Sequence, residues 1–227
     1  MKQMSEEVYD KWLPLMGEED LNGYLKAGMG LRVDWGEKPA LILVDLTNNF
    51  VDTKHAMANG DAGVQAVTEN QKLVEACRRK NIPIFFVRPK KRTALEMGVA
   101  RDKWGSLQVP KEGTDWYDWA DGLMPTASDA IIEKTKSSAF FDTSLRSMLT
   151  YLNIDTLIIT GISTSGCVRS TIVDAFFCNY RVIVPEECCA DRSKKAHQFS
   201  LFDIDMKYGD VTPTDQVLSH IDNLPSY

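Results

Sequence analysis

Short runs of consecutive apolar residues alternate along the chain with longer segments in which apolar residues recur at helical spacing. The runs are rich in β-branched residues and too short for buried helices. They predict five strands, at 40–44, 83–87, 130–133, 156–160 and 181–184. Strands that are apolar at almost every position are buried on both faces, as in a parallel sheet.

Strands that alternate with helices indicate βαβ units. We therefore expect an α/β fold of three layers, α/β/α, in which helices cover both faces of a doubly wound, mainly parallel sheet. This domain is expected over residues 36–227. The preceding residues 1–35 place isolated apolar residues among charges, which predicts one or two short helices that form a helical arm or an oligomerisation extension.

Composition and charge limit the classes of molecule that this protein is expected to bind. The chain has 227 residues, of which 44% are hydrophobic and 26% charged, as is ordinary for a globular domain. Its net charge of -6 argues against nucleic acid or an anionic membrane, because clustered Lys and Arg are the main binders of phosphate. No apolar run approaches the ~20 residues that span a bilayer, and the first residues lack the apolar core of a signal peptide. We therefore expect a soluble, cytoplasmic protein.

Cysteine and histidine give little support to a metal site or a disulfide framework. The cysteines are odd in number and form no CxxC pair. They are Cys77, Cys167, Cys178, Cys188 and Cys189. None of the three histidines stands in an HExxH motif. The cysteines are therefore expected to be reduced thiols, and no metal is expected.

Polar side chains follow several predicted strands, and ligands of open α/β sheets bind beyond the carboxyl ends of the strands. Asp45 directly follows the first strand, and Lys134 ends the third. The loop 161–167, which ends at Cys167, follows the fourth strand, and Asp191 and Arg192 come after the fifth. Taken singly, such an Asp is typical of a turn and such a Lys of a solvated surface, but their shared edge makes them functional candidates. The stretch 89–125 has little periodicity and holds several tryptophans, which is typical of a lid.

The segment GISTSGC, residues 161–167, connects the fourth strand to a helix and partly matches several motifs. Its GxxxxG spacing is that of a P-loop, but Cys167 and Val168 stand where Lys and Ser or Thr would bind phosphate and magnesium. Ser165 and Arg169 occupy the glycine positions of a nucleophile elbow. Two interpretations remain: a cysteine whose thiolate is favoured at a helix N-terminus, or a buried structural cysteine.

Three motifs together carry a resemblance to a known family. They are PALILVDLTNNFVD at 39–52, IIEKTKSSAFFDTSL at 131–145 and LIITGISTSGCVRSTIVDAF at 157–176. On these motifs the sequence resembles the isochorismatase-like cysteine hydrolases, and within them the N-carbamoylsarcosine amidase branch. The resemblance covers roughly residues 36–209 and implies the isochorismatase-like hydrolase fold.

The resemblance implies a catalytic triad of Asp45, Lys134 and Cys167, in which Cys167 is the nucleophile and Asp45 accepts its proton. Lys134 and the helix start are expected to stabilise the Cys167 thiolate. A cis peptide is implied between Ile162 and Ser163. It would turn the backbone N–H groups of Ser163 and Cys167 toward the substrate's carbonyl oxygen as an oxyanion hole. Neither a metal nor an organic cofactor is implied.

Differences between branches of the family narrow the expected substrate. True isochorismatases lack the nucleophilic cysteine, so Cys167 indicates cleavage of a C–N bond. Nicotinamidases add a metal site with histidines after the second strand, where this chain has FFVRPKKRT at 85–93. The resemblance places a substrate-binding arginine at Arg192, which would bind a carboxylate through two hydrogen bonds. Trp104 and Trp116 are candidate walls of the pocket, with interface packing as the alternative.

These observations predict a cysteine-dependent amidohydrolase that releases ammonia from a small N-carbamoyl or primary amide compound bearing a carboxylate. A nicotinamidase, a maleamate amidase or another small-amide hydrolase of the family is the alternative. A non-catalytic or redox-responsive thiol protein, in which Cys188 and Cys189 would matter more than Cys167, is a third interpretation. The N-terminal segment and the habit of the family predict a homo-oligomer, either a dimer or a tetramer.

Overall fold

One parallel β-sheet forms the centre of the computed structural model, which describes residues 4–104 and 113–226. Its strands are β1 (Pro39–Val44), β2 (Ile84–Pro89), β3 (Ala130–Lys134), β4 (Thr156–Ile162), β5 (Arg181–Pro185), β6 (Cys189–Ala190) and β7 (Asp210–Thr212). The strand order is β3-β2-β1-β4-β5-β7, and the short β6 pairs with β4. Each of these pairings is parallel.

Helices connect most of these strands. They are α1 (Glu6–Met16), α2 (Glu18–Lys26), α3 (Asn48–Val51), α4 (Gly60–Arg79), α5 (Ala94–Met97), α6 (Val99–Trp104), α7 (Leu145–Tyr151), α8 (Arg169–Phe177), α9 (Lys194–Lys207) and α10 (Thr214–Asn223). A π-helical turn, Thr164–Val168, precedes α8. Among the residues that the structure describes, no helix is both long enough and apolar enough to cross a membrane.

The helices cover both faces of the sheet. Strand β1 is buried along its whole length, and its successive side chains point to opposite faces. Ala40, Ile42 and Val44 enter a core that also holds residues of α1, α7, α8 and α9. Leu41 and Leu43 enter a second core, shared with α4 and α10. The predicted three-layer α/β/α fold with a doubly wound parallel sheet is therefore confirmed.

The strand order reverses at the boundary between β1 and β4. The chain proceeds from β1 through β2 to β3 on one side, and then from β4 to β5 and β7 on the other. A crevice at such a switch point, beyond the carboxyl ends of the strands, is the usual place for a ligand. Gly161 in β4 pairs with Val44 in β1 and has φ 120°, and a Cβ atom there would lie 1.9 Å from the Val44 carbonyl oxygen. Only glycine lets the two strand ends approach this closely.

The N-terminal helices pack on the domain of their own chain. Ser5 caps α1 by accepting a hydrogen bond from the backbone of Val8, and Val8 and Trp12 are buried in the first core. The Trp12 indole Nε1 donates to Asp205 at 2.7 Å. The prediction of one or two short helices is confirmed. The domain boundary near residue 36 and a role of this segment in oligomerisation stay predictions.

All five strands expected from the sequence are present, with ends that shift by no more than two residues. The short strands β6 and β7 are not among the expected elements. Strands of two and three residues are too short to show a period of two. Helix α9 buries Asp205 as well as Phe202, so its buried residues are not all apolar.

Candidate active site

Three predicted catalytic side chains meet at the carboxyl edge of the sheet. Asp45 directly follows β1, Lys134 is the last residue of β3, and Cys167 lies in the turn between β4 and α8. The ammonium Nζ of Lys134 donates to Asp45 Oδ2 at 2.8 Å and lies 3.3 Å from Cys167 Sγ. Asp45 is 0% exposed and Lys134 2%, so this ion pair is shielded from water. The structure brings the three residues together as the sequence predicts.

The position of Cys167 is set by the turn rather than by a regular helix. Gly166 has non-helical dihedral angles, and α8 begins only at Arg169. Ser165 donates to Asp191 Oδ2 through its backbone N–H at 2.9 Å and through its hydroxyl at 2.7 Å. The expected cis peptide joins Ile162 and Ser163 at the start of the turn.

Hydrogen bonds also fix the part of the Cys167 turn that leads into α8. The hydroxyl of Thr171 donates to the Cys167 carbonyl oxygen at 2.7 Å and accepts from the backbone N–H of Ala139 at 3.0 Å. The hydroxyl of Thr164 lies 2.8 Å from Nδ1 of His197 in α9. Neighbouring segments therefore anchor the residues on both sides of the cysteine.

Burial dominates the electrostatics of the cysteine. Burial, and after it the negative charge of Asp45, raise the pKa of the Cys167 thiol to about 12, although Lys134 acts in the opposite direction. The resting side chain is therefore a thiol at neutral pH. Lys134 favours the thiolate, as expected, but the loss of hydration and the negative charge of Asp45 outweigh its effect on this pKa.

The lysine and the carboxylate form the charged part of the site. Burial acts to lower the pKa of Lys134, but Asp45 and Cys167 outweigh it and raise this pKa, so the ammonium stays protonated. Oδ1 of Asp45 is buried and, within the part of the chain that the structure describes, accepts no hydrogen bond. This oxygen is therefore available to accept a proton.

A cavity of about 180 Å³ lies against these residues. Its wall includes Asp45, Lys134, Cys167 and Ser163. The apolar part of the wall is formed by Phe50, Met57, Pro89 and Trp104. The volume is well below the ~300–1,000 Å³ of pockets for drug-sized ligands, so it suits a small metabolite.

Of the three residues predicted to contact the substrate, one lines the cavity and two lie outside its wall. Trp104, which is 45% exposed, lines the cavity. Trp116 is not part of the wall, because its ring packs edge-on against His55 at 6.1 Å. Arg192 is exposed and is also outside the wall, since its guanidinium donates to the Met57 carbonyl oxygen at 3.3 Å and contacts the Met57 sulfur. Residues 105–112 of the predicted lid lie outside the described residues.

Two cationic residues that the sequence patterns do not predict as site residues also line the cavity. They are Arg92, three positions after β2, and Lys136, two positions after β3. The rule that ligands bind beyond the carboxyl ends of strands points to both positions. At the level of sequence, however, Arg92 belongs to a short basic run in a segment without clear periodicity.

One group of side chains near the cavity has the composition of a metal site. One ligand atom each of Asp52, His55 and Asp115 lies within 4.8 Å of the others. The ammonium of Lys54 already lies between the two carboxylates, 2.9 Å from Asp52 and 2.7 Å from Asp115. The cluster is therefore explained by an internal cation and gives no argument for a metal.

Comparisons with known proteins agree with this geometry. Residues 39–216 match the family model of the isochorismatase domain. An N-carbamoylsarcosine amidase of an Arthrobacter species is 35% identical over 211 residues, which cover 90% of this chain and 79% of that relative. A maleamate amidohydrolase of Pseudomonas putida is 32% identical over 197 residues, covering 86% of this chain and 92% of the relative.

A solved structure shows a similarity to the same group of proteins. The crystal structure of N-carbamoylsarcosine amidase from Thermoplasma acidophilum superposes with a TM-score of 0.68 at 29% sequence identity. It covers 78% of this chain and 97% of that one. The similarity therefore extends over most of the domain that carries the site.

Proposed function

The chain belongs to the isochorismatase family, and from this membership we propose that it is a cysteine-dependent amidohydrolase. The prediction of a hydrolase acting on C–N bonds is confirmed at the level of the family by the similarity to two amidohydrolases. The proposed substrate is a small N-carbamoyl or primary amide compound that bears a carboxylate, and the proposed products are ammonia and the corresponding acid. The observation that carries the proposal is the contact of Lys134 with both Asp45 and Cys167 beside a cavity.

The first step is attack by the sulfur. Cys167 begins as a thiol, and its proton passes to the unpartnered Oδ1 of Asp45 as the sulfur bonds to the amide carbon. Lys134 stays positive beside both groups and stabilises the negative charge that moves from carboxylate to sulfur. Because the thiol pKa is high, proton transfer is expected to accompany the attack rather than to precede it.

The second step is release of ammonia. The carbonyl oxygen becomes an oxyanion, and the backbone N–H groups of Ser163 and Cys167 are the proposed donors that stabilise it, at ~3 kcal/mol for each donor. Collapse of this intermediate breaks the C–N bond, and Asp45 returns its proton to the departing nitrogen. Water, deprotonated by the same carboxylate, then hydrolyses the thioester or thiocarbamate and restores the thiol.

The charges on the cavity wall support an anionic substrate. Among the described residues, the wall holds Asp45 and three cationic side chains, and the pairing of Asp45 with Lys134 leaves Arg92 and Lys136. A carboxylate on the substrate would compensate this positive charge. Trp104 is proposed to cover the bound substrate. Arg192 and Trp116 stay predicted contacts, as do the cytoplasmic location and the dimer or tetramer.

The alternative of a redox-responsive thiol protein finds less support. Cys188 and Cys189 are both buried, and burial raises the pKa of each of these thiols. Oxidants react with exposed thiolates, so two neutral thiols in the interior are poor sensors. Cys167, by contrast, borders the cavity.

A substrate screen tests the proposal. Ammonia release is measured from N-carbamoylsarcosine, N-carbamoyl amino acids, maleamate, biuret and nicotinamide. We expect turnover of one or more of the carboxylate-bearing compounds and weak or no turnover of biuret and nicotinamide. Turnover of nicotinamide alone would favour the nicotinamidase alternative, and no ammonia from any amide or carbamoyl compound would contradict the proposed reaction.

A further inference from the structure

We infer that Asp191 is a positioning residue, which fixes the turn of Cys167 against the segment that carries Arg192. The inference rests on the proposed function, because it assigns a further residue to the same site. Asp191 directly follows β6 and is 8% exposed, and its carboxylate accepts hydrogen bonds from both segments. A carboxylate that joins two segments in this way sets the distance between them.

The short strand β6 brings Asp191 to the turn. The two residues of this strand pair in parallel with Gly161 and Ile162 at the end of β4. Because Ala190 pairs with Ile162, the next residues of the two segments, Asp191 and Ser163, leave the sheet side by side. A strand of two residues adds little to the sheet, and its main effect is to carry this carboxylate to the start of the turn.

On the side of the turn, Asp191 binds both polar groups of Ser165. The backbone N–H of Ser165 donates to Oδ2 at 2.9 Å and its hydroxyl donates to the same oxygen at 2.7 Å. The next residue, Gly166, has non-helical dihedral angles, so a regular helix does not hold this part of the chain. The proposed oxyanion donors, the N–H groups of Ser163 and Cys167, lie on either side of Ser165. Its attachment to Asp191 therefore helps to fix both donors.

The other oxygen of Asp191 binds the segment of Arg192. Oδ1 accepts from the backbone N–H of Ser193 at 3.2 Å, and Ser193 caps α9 by accepting from the N–H of Ala196. The carboxylate thus lies at the N-terminus of α9, where the helix dipole favours a negative charge. Arg192 stands between the two bonded residues, and its guanidinium contacts Met57 in the cavity wall. One carboxylate therefore relates the nucleophile to the predicted substrate contact.

Helix α9 supports the same turn at a second point. Nδ1 of His197 lies 2.8 Å from the hydroxyl of Thr164, the residue before Ser165. The helix is itself packed into the first core, where Phe202 is buried. Asp191 therefore connects the turn to a part of the domain that is held in place, as a positioning residue requires.

The kinetic test uses Asp191→Asn, with N-carbamoylsarcosine and maleamate as the probes. An amide has one acceptor oxygen in place of two, so it turns an N–H donor toward the backbone N–H of Ser165 or of Ser193. The turn should then shift, and attack of the sulfur is sensitive to small displacements. We expect kcat to fall about 10- to 100-fold with a smaller change in KM, because the shift alters attack more than binding.

Asp155→Asn is the matched control. Asp155 directly precedes β4, at the end of this strand opposite to the turn of Cys167. Within the described ranges it accepts from two backbone N–H groups and one hydroxyl, as Asp191 does; the donors are Glu37 at 2.8 Å, Lys38 at 3.0 Å and Thr156 at 2.7 Å. Its substitution should lower the free energy of unfolding but leave kcat unchanged. Equal falls in kcat for the two variants would overturn the assignment, because they would indicate a loss of stability only.

Ser165→Ala tests the same contact without changing Asp191, and decides the question if Asp191→Asn does not fold. It removes only the hydroxyl bond, so kcat should fall about 3- to 10-fold. In the double variant this loss should not add to that of Asp191→Asn, since the hydroxyl acts through the carboxylate. An unchanged kcat in Ser165→Ala, or losses that add, would overturn the assignment.

Titration of Cys167 separates this inference from the proposed reaction. Thiolate absorbance is followed in each variant, with the matching Cys167→Ala protein subtracted. Loss of hydration raises the pKa of this thiol to about 12, so a loosened and better hydrated turn should lower the pKa in Asp191→Asn but not in Asp155→Asn. If the unsubstituted enzyme hydrolyses no compound of the screen, the proposed function fails, and this fall in pKa still supports the role of Asp191. If the pKa does not fall in Asp191→Asn, the turn is held without Asp191 and the assignment is wrong.

Discussion

At the scale of single residues, the site combines a neutral nucleophile with a charged pair. Loss of hydration and the negative charge of Asp45 raise the pKa of the half-buried Cys167 thiol, and Lys134 compensates the one negative charge that the group carries. A proton can therefore move between sulfur and carboxylate without changing the net charge of the group. This arrangement suits a reaction in which the thiolate exists only while it attacks.

Replacing Asp45 separates the reactivity of the thiol from the activity of the enzyme. In Asp45→Asn the negative charge that raises the pKa of Cys167 is gone, while Lys134 still favours the thiolate, so this pKa should fall below about 12. At a fixed pH near 9, the fraction of thiolate and the rate of alkylation by iodoacetamide should rise. Turnover should nevertheless fall by ~10²–10⁴, since the proton acceptor is lost.

The titration is followed by thiolate absorbance near 240 nm, with the matching Cys167→Ala protein subtracted to remove the other cysteines. A pKa in Asp45→Asn equal to or higher than that of the unsubstituted protein would contradict the electrostatic account. So would undiminished ammonia release.

Some residues of the site can be predicted from the sequence alone, and others cannot. Asp45, Lys134 and Cys167 are predictable because each lies at or after the end of a strand at one edge of the sheet, and because three motifs match a family. Arg92 is not, because its position in the cavity depends on the path of a segment without periodicity and on the carbonyl of Thr135. The high pKa of Cys167 likewise depends on burial, which spacing alone does not reveal.

At the scale of elements, the junction of β1 and β4 positions the nucleophile relative to its proton acceptor. Val44 and Gly161 are paired across these strands, and Asp45 follows Val44 directly. Asp45 itself has a positive φ of 55°, which is uncommon outside glycine. The close approach at Gly161 therefore determines how near the turn that carries Cys167 comes to the carboxylate.

Gly161→Ala tests this junction. The added Cβ would lie 1.9 Å from the Val44 carbonyl oxygen in a backbone conformation unfavourable for alanine. The free energy of unfolding should therefore fall by about 3 kcal/mol or more. Gly23→Ala in α2 is the matched control, because its Cβ meets nothing within 4 Å and alanine favours a helix. Equal stability of the two variants in urea denaturation would contradict the role of Gly161.

Sequence patterns located the long elements well and the short ones poorly. Strands β1 and β4 are continuous apolar runs, and burial on both faces explains why their pattern is unambiguous. Strands β6 and β7 have two and three residues and exist because they pair with β4 and β5. Such pairing is a long-range property, so a local window of sequence does not contain it.

At the scale of the whole molecule, the first core joins the N-terminal helices to the last third of the chain. Trp12 packs edge-on against Phe202 with ring centroids 5.6 Å apart and donates to Asp205. Oδ1 of Asp205 also accepts hydrogen bonds from Arg32 and from the backbone of Val211. Helix α1, α9 and β7 are therefore linked through one buried carboxylate.

Trp12→Ala tests whether the N-terminal helices stabilise the domain. Loss of a buried indole leaves a cavity and removes one partner of Asp205, so the free energy of unfolding should fall by about 3–5 kcal/mol. Tyr151→Ala, which removes an aromatic ring that is 84% exposed, should change it by less than about 0.5 kcal/mol. Urea denaturation provides both values. A loss below about 1 kcal/mol for Trp12→Ala would show that these helices are a dispensable arm.

The proposed reaction requires the sulfur of Cys167 to attack the carbon of the substrate's C–N bond, so removal of this sulfur should abolish turnover. Ammonia release from the best substrate of the screen is measured for Cys167→Ala and for Cys178→Ala, which removes a partly exposed thiol at the end of α8. We predict that Cys167→Ala falls to the rate without enzyme while its fold and melting temperature are retained, and that Cys178→Ala keeps its activity. Hydrolysis that persists in folded Cys167→Ala would contradict the account.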